Sequence, residues 1–185
     1  MNIDVRHIRT LAVATSIAFT ACGDGGPSLA TSPVLDDQAD VAALTSADYA
    51  STLAELRRAT ARYHDFDAAV ADGFVLLHEC EVRPGEAPAG AVYVQPERLT
   101  IGIDPSRPQG LLYEEDSSGR MELLGAELAI PFALWSGSEP PEFLGAQFQP
   151  EDEFGVWGLH IWLWRHNPDG MFAEGNPRVT CESDE

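Results

Sequence analysis

The stretch GVWGLHIWLWRHNPDGMF, residues 155–172, combines a run of large apolar side chains with a sharp break in the chain. If residues 156–165 form a β-strand, alternate side chains point to opposite faces of the sheet. One face then carries a continuous apolar row typical of a core, namely Trp157, Leu159, Ile161 and Leu163. The Asn-Pro-Asp-Gly tract at residues 167–170 has the composition of a tight turn that ends the strand.

The opposite face of this predicted strand has a different character, because Gly158 leaves a gap beside a histidine and two tryptophans. Tryptophan combines a large apolar surface with one N–H donor, which suits a cavity for a partly polar ligand. We therefore predict a ligand-binding cavity lined by His160, Trp162, Trp164, Tyr93 and Glu127. The alternative is a core histidine that is hydrogen-bonded between large aromatic side chains.

Upstream of this stretch, the apolar pattern changes from helical to extended at Gly73. Residues 47–63 repeat apolar side chains three and four positions apart, and a short second helix follows them. After Gly73 come short runs rich in Val, Leu, Ile and aromatic residues, with a hairpin loop at residues 116–119. This order predicts an α+β fold in one domain, residues 46–185, with N-terminal helices packed on a curved, mainly antiparallel β-sheet.

The N-terminal residues 1–21 have the pattern of a bacterial lipoprotein signal peptide, with two arginines, a short apolar run and small residues before Cys22. The run is shorter than the roughly 20 residues of a membrane-spanning helix. We expect Cys22 to be lipidated, and residues 22–45, rich in Gly, Pro, Ser and Asp, to form a flexible tether. The protein is then exported and anchored to a membrane of the cell envelope through its lipid, facing the periplasm or the exterior. The alternatives are an ordinary secretory peptide and a short helix at residues 40–44.

The chain is strongly acidic, with a formal net charge of −19, and all 11 of its basic residues are arginines. Affinity for nucleic acid depends on basic contacts that release counterions from the phosphate backbone. The composition therefore argues against nucleic acid and anionic lipid surfaces as partners. The acidic composition identifies no substrate. Its main explanation is the solubility of an exported protein outside the cell.

Cysteine usage predicts one disulfide. If Cys22 carries a lipid, Cys80 and Cys181 remain in an oxidising compartment, where pairing is the expected outcome. The bridge would fasten the C-terminal tail to the start of the sheet. The alternative is metal ligation through Cys80 and the nearby His78.

A divalent metal is a second hypothesis for the predicted cavity, with His160, Glu127 and His166 as the candidate ligands. Glu127 interrupts an otherwise apolar strand, and a buried carboxylate needs a partner. The alternative is an ion pair between Glu127 and Arg165 or Arg120. No pair of candidate ligands has a diagnostic spacing, so no metal can be assigned from the sequence.

The sequence carries no motif for nucleophilic, nucleotide-dependent or dinucleotide-dependent chemistry, so catalytic residues are not assigned. We expect non-catalytic binding of a small ligand in the predicted aromatic-lined cavity. The first alternative is a metal-dependent envelope enzyme that uses His160 and Glu127. The second is an envelope protein-interaction module with a filled core.

Several tracts together resemble a family of small exported bacterial proteins and lipoproteins for which no activity is established. The resemblance spans residues 56–181 and is strongest in a C-terminal signature, LHxWxWRxNPDGMF followed by NPxVxC, which reads LHIWLWRHNPDGMF and NPRVTC in this chain. It is weaker in ATARYHDFDAAVADGF, DPSRPQGLLYEED and GAELAIP. The resemblance implies a disulfide between Cys80 and Cys181. Relatives also carry a histidine where this chain has Val92, so a metal site that used this histidine with Glu127 and His160 would lack one ligand here.

Overall fold

The computed structural model describes residues 37–100 and 102–181, and it places side chains from residue 46 onward. The predicted signal peptide, Cys22 and the first part of the predicted tether lie outside the described residues. The last part of the predicted tether is helical, because the first helix already begins at Asp37. Within the described residues, no helix is both long enough and apolar enough to span a membrane.

The helical part precedes the sheet. It consists of α1 (Asp37–Thr60), a 3-10 helix (Ala61–His64) and α2 (Phe66–Ala71). The Asp65 carboxylate caps α2 by accepting a hydrogen bond from the backbone N–H of Asp67. The helix predicted over residues 47–63 is confirmed, and it extends further toward the N-terminus.

Eight strands follow the helices. They are β1 (Val75–His78), β2 (Ala91–Val94), β3 (Gly110–Glu115), β4 (Met121–Pro131), β5 (Glu142–Phe143), β6 (Ala146–Gln147), β7 (Gln149–Glu151) and β8 (Val156–Ile161). Two short 3-10 helices lie between them, at Pro96–Arg98 and Phe132–Leu134.

Six of these strands form one curled, antiparallel sheet in the order β1-β2-β3-β4-β8-β7, and β5 and β6 form a separate hairpin. The curl gives the sheet the shape of a half-barrel. Its two edges approach each other, because the rings of His78 on β1 and Phe154 after β7 are 5.8 Å apart. The protein is therefore a single α+β domain with helices beside an antiparallel sheet, as the sequence predicts.

One face of the sheet packs against the helices and forms the main core. Leu53 and Leu56 of α1 are buried against a cluster from the central strands that includes Leu128, Leu159 and Ile161. These side chains alternate with residues on the opposite face, as a strand pattern requires. The apolar row predicted for residues 156–165 is thus confirmed as core.

Strand β8 ends at Ile161, four residues before the predicted end, so the predicted strand over residues 156–165 is too long. The cause lies in the neighbouring strand, where Gly125 passes against the backbone carbonyl of Ile161 in a contact that leaves no room for a Cβ atom. Beyond this point the backbone N–H of Trp162 donates to the Met171 carbonyl, and that of Trp164 donates to the Leu124 carbonyl. The regular alternation of side chains therefore stops after Ile161.

The C-terminal tail crosses the face of the sheet that lies opposite the helices, which we call the cavity face. The indole N–H of Trp162 donates to the Ala173 carbonyl at 2.7 Å, and the N–H of Asn176 donates to the Pro88 carbonyl at 2.9 Å. The disulfide between Cys80 and Cys181 closes the tail against the segment after β1, with an S–S distance of 2.02 Å. The predicted disulfide is confirmed, and the alternative of metal ligation through Cys80 is wrong.

Candidate functional site

A cavity of about 90 Å³ lies on the cavity face, between the two approaching edges of the half-barrel. Its walls come from β1, the segment that joins β1 to β2, the central strands, the turn after β7 and the tail. Carboxylates and histidines dominate the polar part of the lining, with Glu81, Glu86, Glu127, Glu151, Glu174, His78, His160 and Arg83. The apolar part includes Leu77, Pro88, Val92 and Phe154.

Glu127 is the most deeply buried charged group of the cavity. It lies on β4 directly opposite His160 on β8, and its residue is only 3% exposed. Its Oε2 atom has no hydrogen-bond partner. The pKa of Glu127 is raised to about 7, mainly by burial; His160 opposes the shift, and the charges of Glu151 and Glu174 contribute to it.

Two glycines make room for the Glu127 carboxyl. A Cβ atom added at Gly110 would lie 2.9 Å from the Glu127 Cβ, and one added at Gly158 would lie 3.2 Å from Glu127 Oε1. The same Cβ at Gly158 would also lie 3.0 Å from Cγ of Glu151. The gap that the sequence shows at Gly158 is thus filled by two carboxylic side chains from neighbouring strands.

His160 is held in one orientation by the tail. Its Nδ1 atom lies 2.6 Å from the carbonyl oxygen of Glu174, which can only accept a hydrogen bond. Nδ1 therefore carries the proton in the neutral ring, and Nε2 is left as a hydrogen-bond acceptor or a metal ligand.

A second pair of carboxyls, Glu151 and Glu174, lies beside Glu127 and His160. Glu174 is exposed as a residue, but desolvation of its carboxyl and the neighbouring Glu151 carboxyl raise its pKa to about 7, and the charge of Glu86 acts in the same direction. Adjacent carboxyls disfavour double ionisation, since their like charges repel.

The predicted ion pair between Glu127 and an arginine is wrong. Arg165 lies 2.7 Å from the Glu114 carboxylate and 2.9 Å from that of Glu122. Arg120 pairs with Asp116 at 3.1 Å, in the hairpin loop. Both candidate arginines are therefore engaged elsewhere, and Glu127 keeps an unpaired oxygen.

Of the predicted site residues, Glu127 and His160 line the cavity, and the Trp162 ring lies edge-to-face against His160 with the ring centroids 6.3 Å apart. Trp162 packs in a core cluster with Leu112 and Leu124, and its N–H is occupied by the tail. The other residues lie elsewhere. Tyr93 packs with Phe66 and Tyr113 on the helix side, Trp164 is exposed beside His64 and Thr60, and His166 is exposed in the turn.

Sequence reasoning missed Glu151 and Glu174, which complete the polar part of the cavity. Neither residue interrupts an apolar run, and the chain has 30 acidic residues, so nothing in the local pattern distinguishes them. Glu127 was identifiable because its strand is apolar on both sides of it. His160 was identifiable because it lies between tryptophans and leucines.

No three His, Cys, Asp or Glu side chains among the described residues gather closely enough to form a preformed metal cage. Glu127 and His160 are adjacent, but His166 lies outside the cavity. Val92 lines the cavity itself. A metal would thus find two ligands in place and would need water or a rearranged carboxylate for the others.

The chemistry open to the cavity follows from the side chains that line it. Its described lining contains no Ser, Thr, Cys, Lys or Tyr, so its reactive groups are carboxylates, histidines and one arginine. Comparisons with protein-family models, curated proteins and solved structures found no match to this chain. The assignment of function therefore rests on the geometry and charge of the cavity.

Proposed function

We propose that this protein is an exported, lipid-anchored protein of the bacterial cell envelope that binds a small cationic ligand without transforming it. The observation that carries the proposal is the Glu127 carboxyl, which is buried at the cavity with an unpartnered Oε2 atom. A buried polar atom without a partner destabilises the folded chain by about 1 to 3 kcal/mol. A cation that donates hydrogen bonds or coordinates the oxygen would remove this cost.

The charge of the cavity supports a cation. Five glutamates line it against one arginine, and two of the glutamates have a pKa raised to about 7. Burial is the main cause of both raised pKa values, and the neighbouring carboxylates add to it, so negative charge is disfavoured in the cavity. An incoming cation offsets this charge, whereas an anion would add to it.

The size of the cavity supports a small ligand. Sites for drug-sized molecules measure roughly 300 to 1,000 Å³, whereas this cavity measures about 90 Å³. A ligand of a few non-hydrogen atoms fits this volume. A nucleotide or a sugar ring with its substituents does not.

The expected localisation rests on the N-terminal sequence and on the disulfide. A lipoprotein-type N-terminus would hold the domain at a membrane surface, and the disulfide suits an oxidising compartment. The membrane is thus a partner through the lipid on Cys22, and nucleic acid is not expected. Membership of the family of small exported proteins remains part of this proposal.

The test uses the mature chain, residues 22–185, with Cys22→Ser so that no lipid is attached. Backbone amide NMR is recorded during titration with ethylammonium, Zn²⁺ and Ca²⁺, and with acetate as a small anion. We expect at least one cation to shift the amide signals of Gly110 and Gly158, which border the Glu127 carboxyl. Acetate should leave them unchanged. The proposal fails if no cation perturbs these signals, or if acetate does so as strongly.

A second candidate function is a metal-dependent envelope enzyme that uses His160 and Glu127. It is favoured by the hydrogen bond from His160 Nδ1 to the Glu174 carbonyl, because such a bond commonly orients a metal-binding histidine. Elemental mass spectrometry of protein purified from a periplasm, without chelator or a histidine tag, tests it. Near-stoichiometric metal that is lost in folded His160→Ala and Glu127→Ala variants would favour the enzyme. A folded protein free of metal would exclude it.

A further inference from the structure

The hydrogen-bonding groups of the cavity narrow the class of ligand, if the protein binds a cation as proposed. Glu127 Oε2 accepts and has no partner, and His160 Nε2 accepts because Nδ1 carries the proton. The carboxyls of Glu151 and Glu174 also accept. The strongest donor in the lining, Arg83, lies 3.3 Å from His78 Nε2 and 3.7 Å from the Glu81 carboxylate, so it is already engaged. A matching ligand must therefore supply the donors.

The apolar part of the lining adds a second requirement. Leu77, Val92 and Phe154 line the same cavity as the carboxyls, so the site is polar on one side and apolar on the other. A bare metal ion uses only the polar side, and the described residues offer no preformed set of three ligands. A ligand with a charged head and a short hydrocarbon part would use both sides.

We propose that the ligand is a small primary ammonium compound, and this inference rests on the proposed function. Its –NH₃⁺ group donates to the Glu127 carboxyl, to His160 Nε2 and to an oxygen of the Glu151–Glu174 pair. Its hydrocarbon part packs on Leu77, Val92 and Phe154. The three donors of a primary ammonium group match the three kinds of acceptor that the cavity presents.

A quaternary ammonium compound fits less well. It carries no N–H, so the Glu127 oxygen would stay without a hydrogen bond. Proteins that recognise quaternary ammonium groups surround them with aromatic rings. Here Phe154 is the one Phe, Tyr or Trp side chain among the lining residues that the structure describes.

The experiment compares ethylammonium with tetramethylammonium and Zn²⁺ in the same NMR titration of the mature Cys22→Ser chain. Because a ligand of three or four heavy atoms rarely binds tighter than about 1 mM, concentrations up to about 50 mM are needed at constant ionic strength. We expect ethylammonium to bind about tenfold or more tightly than tetramethylammonium.

Two variants locate the site of binding. Glu127→Gln should weaken ethylammonium binding by about tenfold or more, since the charge-assisted hydrogen bond is lost. Glu55→Gln makes the same chemical change at an exposed position of α1 and should leave the affinity unchanged. If Glu127→Gln fails to fold, Glu174→Gln takes its place, and the affinity for ethylammonium should fall by several-fold.

The outcomes distinguish this inference from the proposed function. Equal or tighter binding of tetramethylammonium would overturn the proposal of a primary ammonium ligand. Unchanged ethylammonium binding in Glu127→Gln or Glu174→Gln would overturn it too. Binding of Zn²⁺ without binding of ethylammonium would also overturn it, while cation binding as such would stand. Failure of all cations to bind would overturn both proposals.

Discussion

Two buried glutamates on neighbouring strands, Glu114 on β3 and Glu127 on β4, have opposite surroundings. Glu114 is 6% exposed, and its carboxylate accepts from Arg165 at 2.7 Å and from the N–H and hydroxyl of Thr180 at 2.6 and 2.9 Å. Glu127 is 3% exposed, and its Oε2 has no partner. The residue type and the burial are the same, and only the partners differ.

The difference separates structure from function. The partners of Glu114 come from the chain after β8 and from the tail, so this carboxylate fastens the C-terminal segment to the sheet. Glu127 fastens nothing, and it faces a cavity with three other acceptors. Unpaired buried charges persist where a ligand, a proton or a metal completes them, and perturbed pKa values cluster at such sites.

The largest effect is expected from removal of the disulfide that holds the tail. The surroundings of both Glu114 and Glu127 include residues of this tail. In the double variant Cys80→Ser/Cys181→Ser, a loop closed over a sequence separation of 101 is opened. The free energy of unfolding should fall by about 4 to 5 kcal/mol, because the unfolded chain gains entropy. Urea denaturation measures the loss. A loss below about 1 kcal/mol would show that hydrogen bonds alone hold the tail.

The second prediction removes the ion pair between Arg165 and Glu114. Arg165→Met keeps much of the apolar stem but leaves the Glu114 charge buried beside an empty position. We expect a loss of about 3 to 4 kcal/mol in the free energy of unfolding at neutral pH. The matched control is Arg120→Met, whose arginine pairs with Asp116 in an exposed loop and should cost less than about 1 kcal/mol. Equal losses in the two variants would contradict the structural role of Glu114.

The third effect concerns pH and the unpaired region. The pKa of Glu127 is raised from 4.5 to about 7 in the folded protein, so the folded state holds a proton that the unfolded state has released. The contribution of Glu127 to the free energy of unfolding is therefore largest below pH 4.5, and it is lost as the pH rises through about 7. The loss amounts to about 3 kcal/mol.

Glu127→Gln removes this pH dependence, because an amide does not titrate. At pH 8 the variant should be more stable than the wild-type chain by about 3 kcal/mol. At pH 4 the two should be nearly equal. Urea denaturation across this pH range measures both values, with Glu55→Gln as the control that keeps the wild-type slope. A variant that is destabilised at pH 8 would mean that a partner for Glu127 exists in the folded protein.

The smallest effect tests the geometry of the unpaired region. Gly158→Ala adds a Cβ atom 3.0 Å from Glu151 Cγ and 3.2 Å from Glu127 Oε1, so both side chains must shift slightly. The change in stability should stay within about 1 kcal/mol, because flexible side chains can move aside. Ethylammonium binding in the NMR titration should nevertheless weaken by several-fold. Unchanged binding would place the ligand away from Glu127.

Much of the fold follows from local patterns. The apolar row from Trp157 to Leu163 identified the core face, because strand periodicity applies wherever the chain remains extended. The helix over residues 47–63 was predicted by its apolar stripe, and the pairing of Cys80 with Cys181 by the count of cysteines. The end of β8 was not predictable, since it depends on the close approach of Gly125 to the Ile161 carbonyl, a contact between strands.

The candidate site was predictable only in part. Glu127 and His160 stand out in the sequence because each is a polar residue in an apolar strand, and antiparallel pairing then puts them opposite each other. Trp164 was assigned to the same wall because the alternation was extended past Ile161, whereas Trp162 does lie beside His160. The carboxyls of Glu151 and Glu174 come from an edge strand and from the tail, far apart along the chain.

The sequence by itself determined the fold class, the disulfide and the two residues that interrupt apolar strands, because periodicity, cysteine count and buried polarity are local properties. Only the tertiary structure decided which carboxylate is paired and which is not. From the sequence alone, Arg165 could pair with Glu114 or with Glu127. In the folded protein it pairs with Glu114. The curl of the sheet brings the edges and the tail around Glu127, so the cavity is a property of long-range packing.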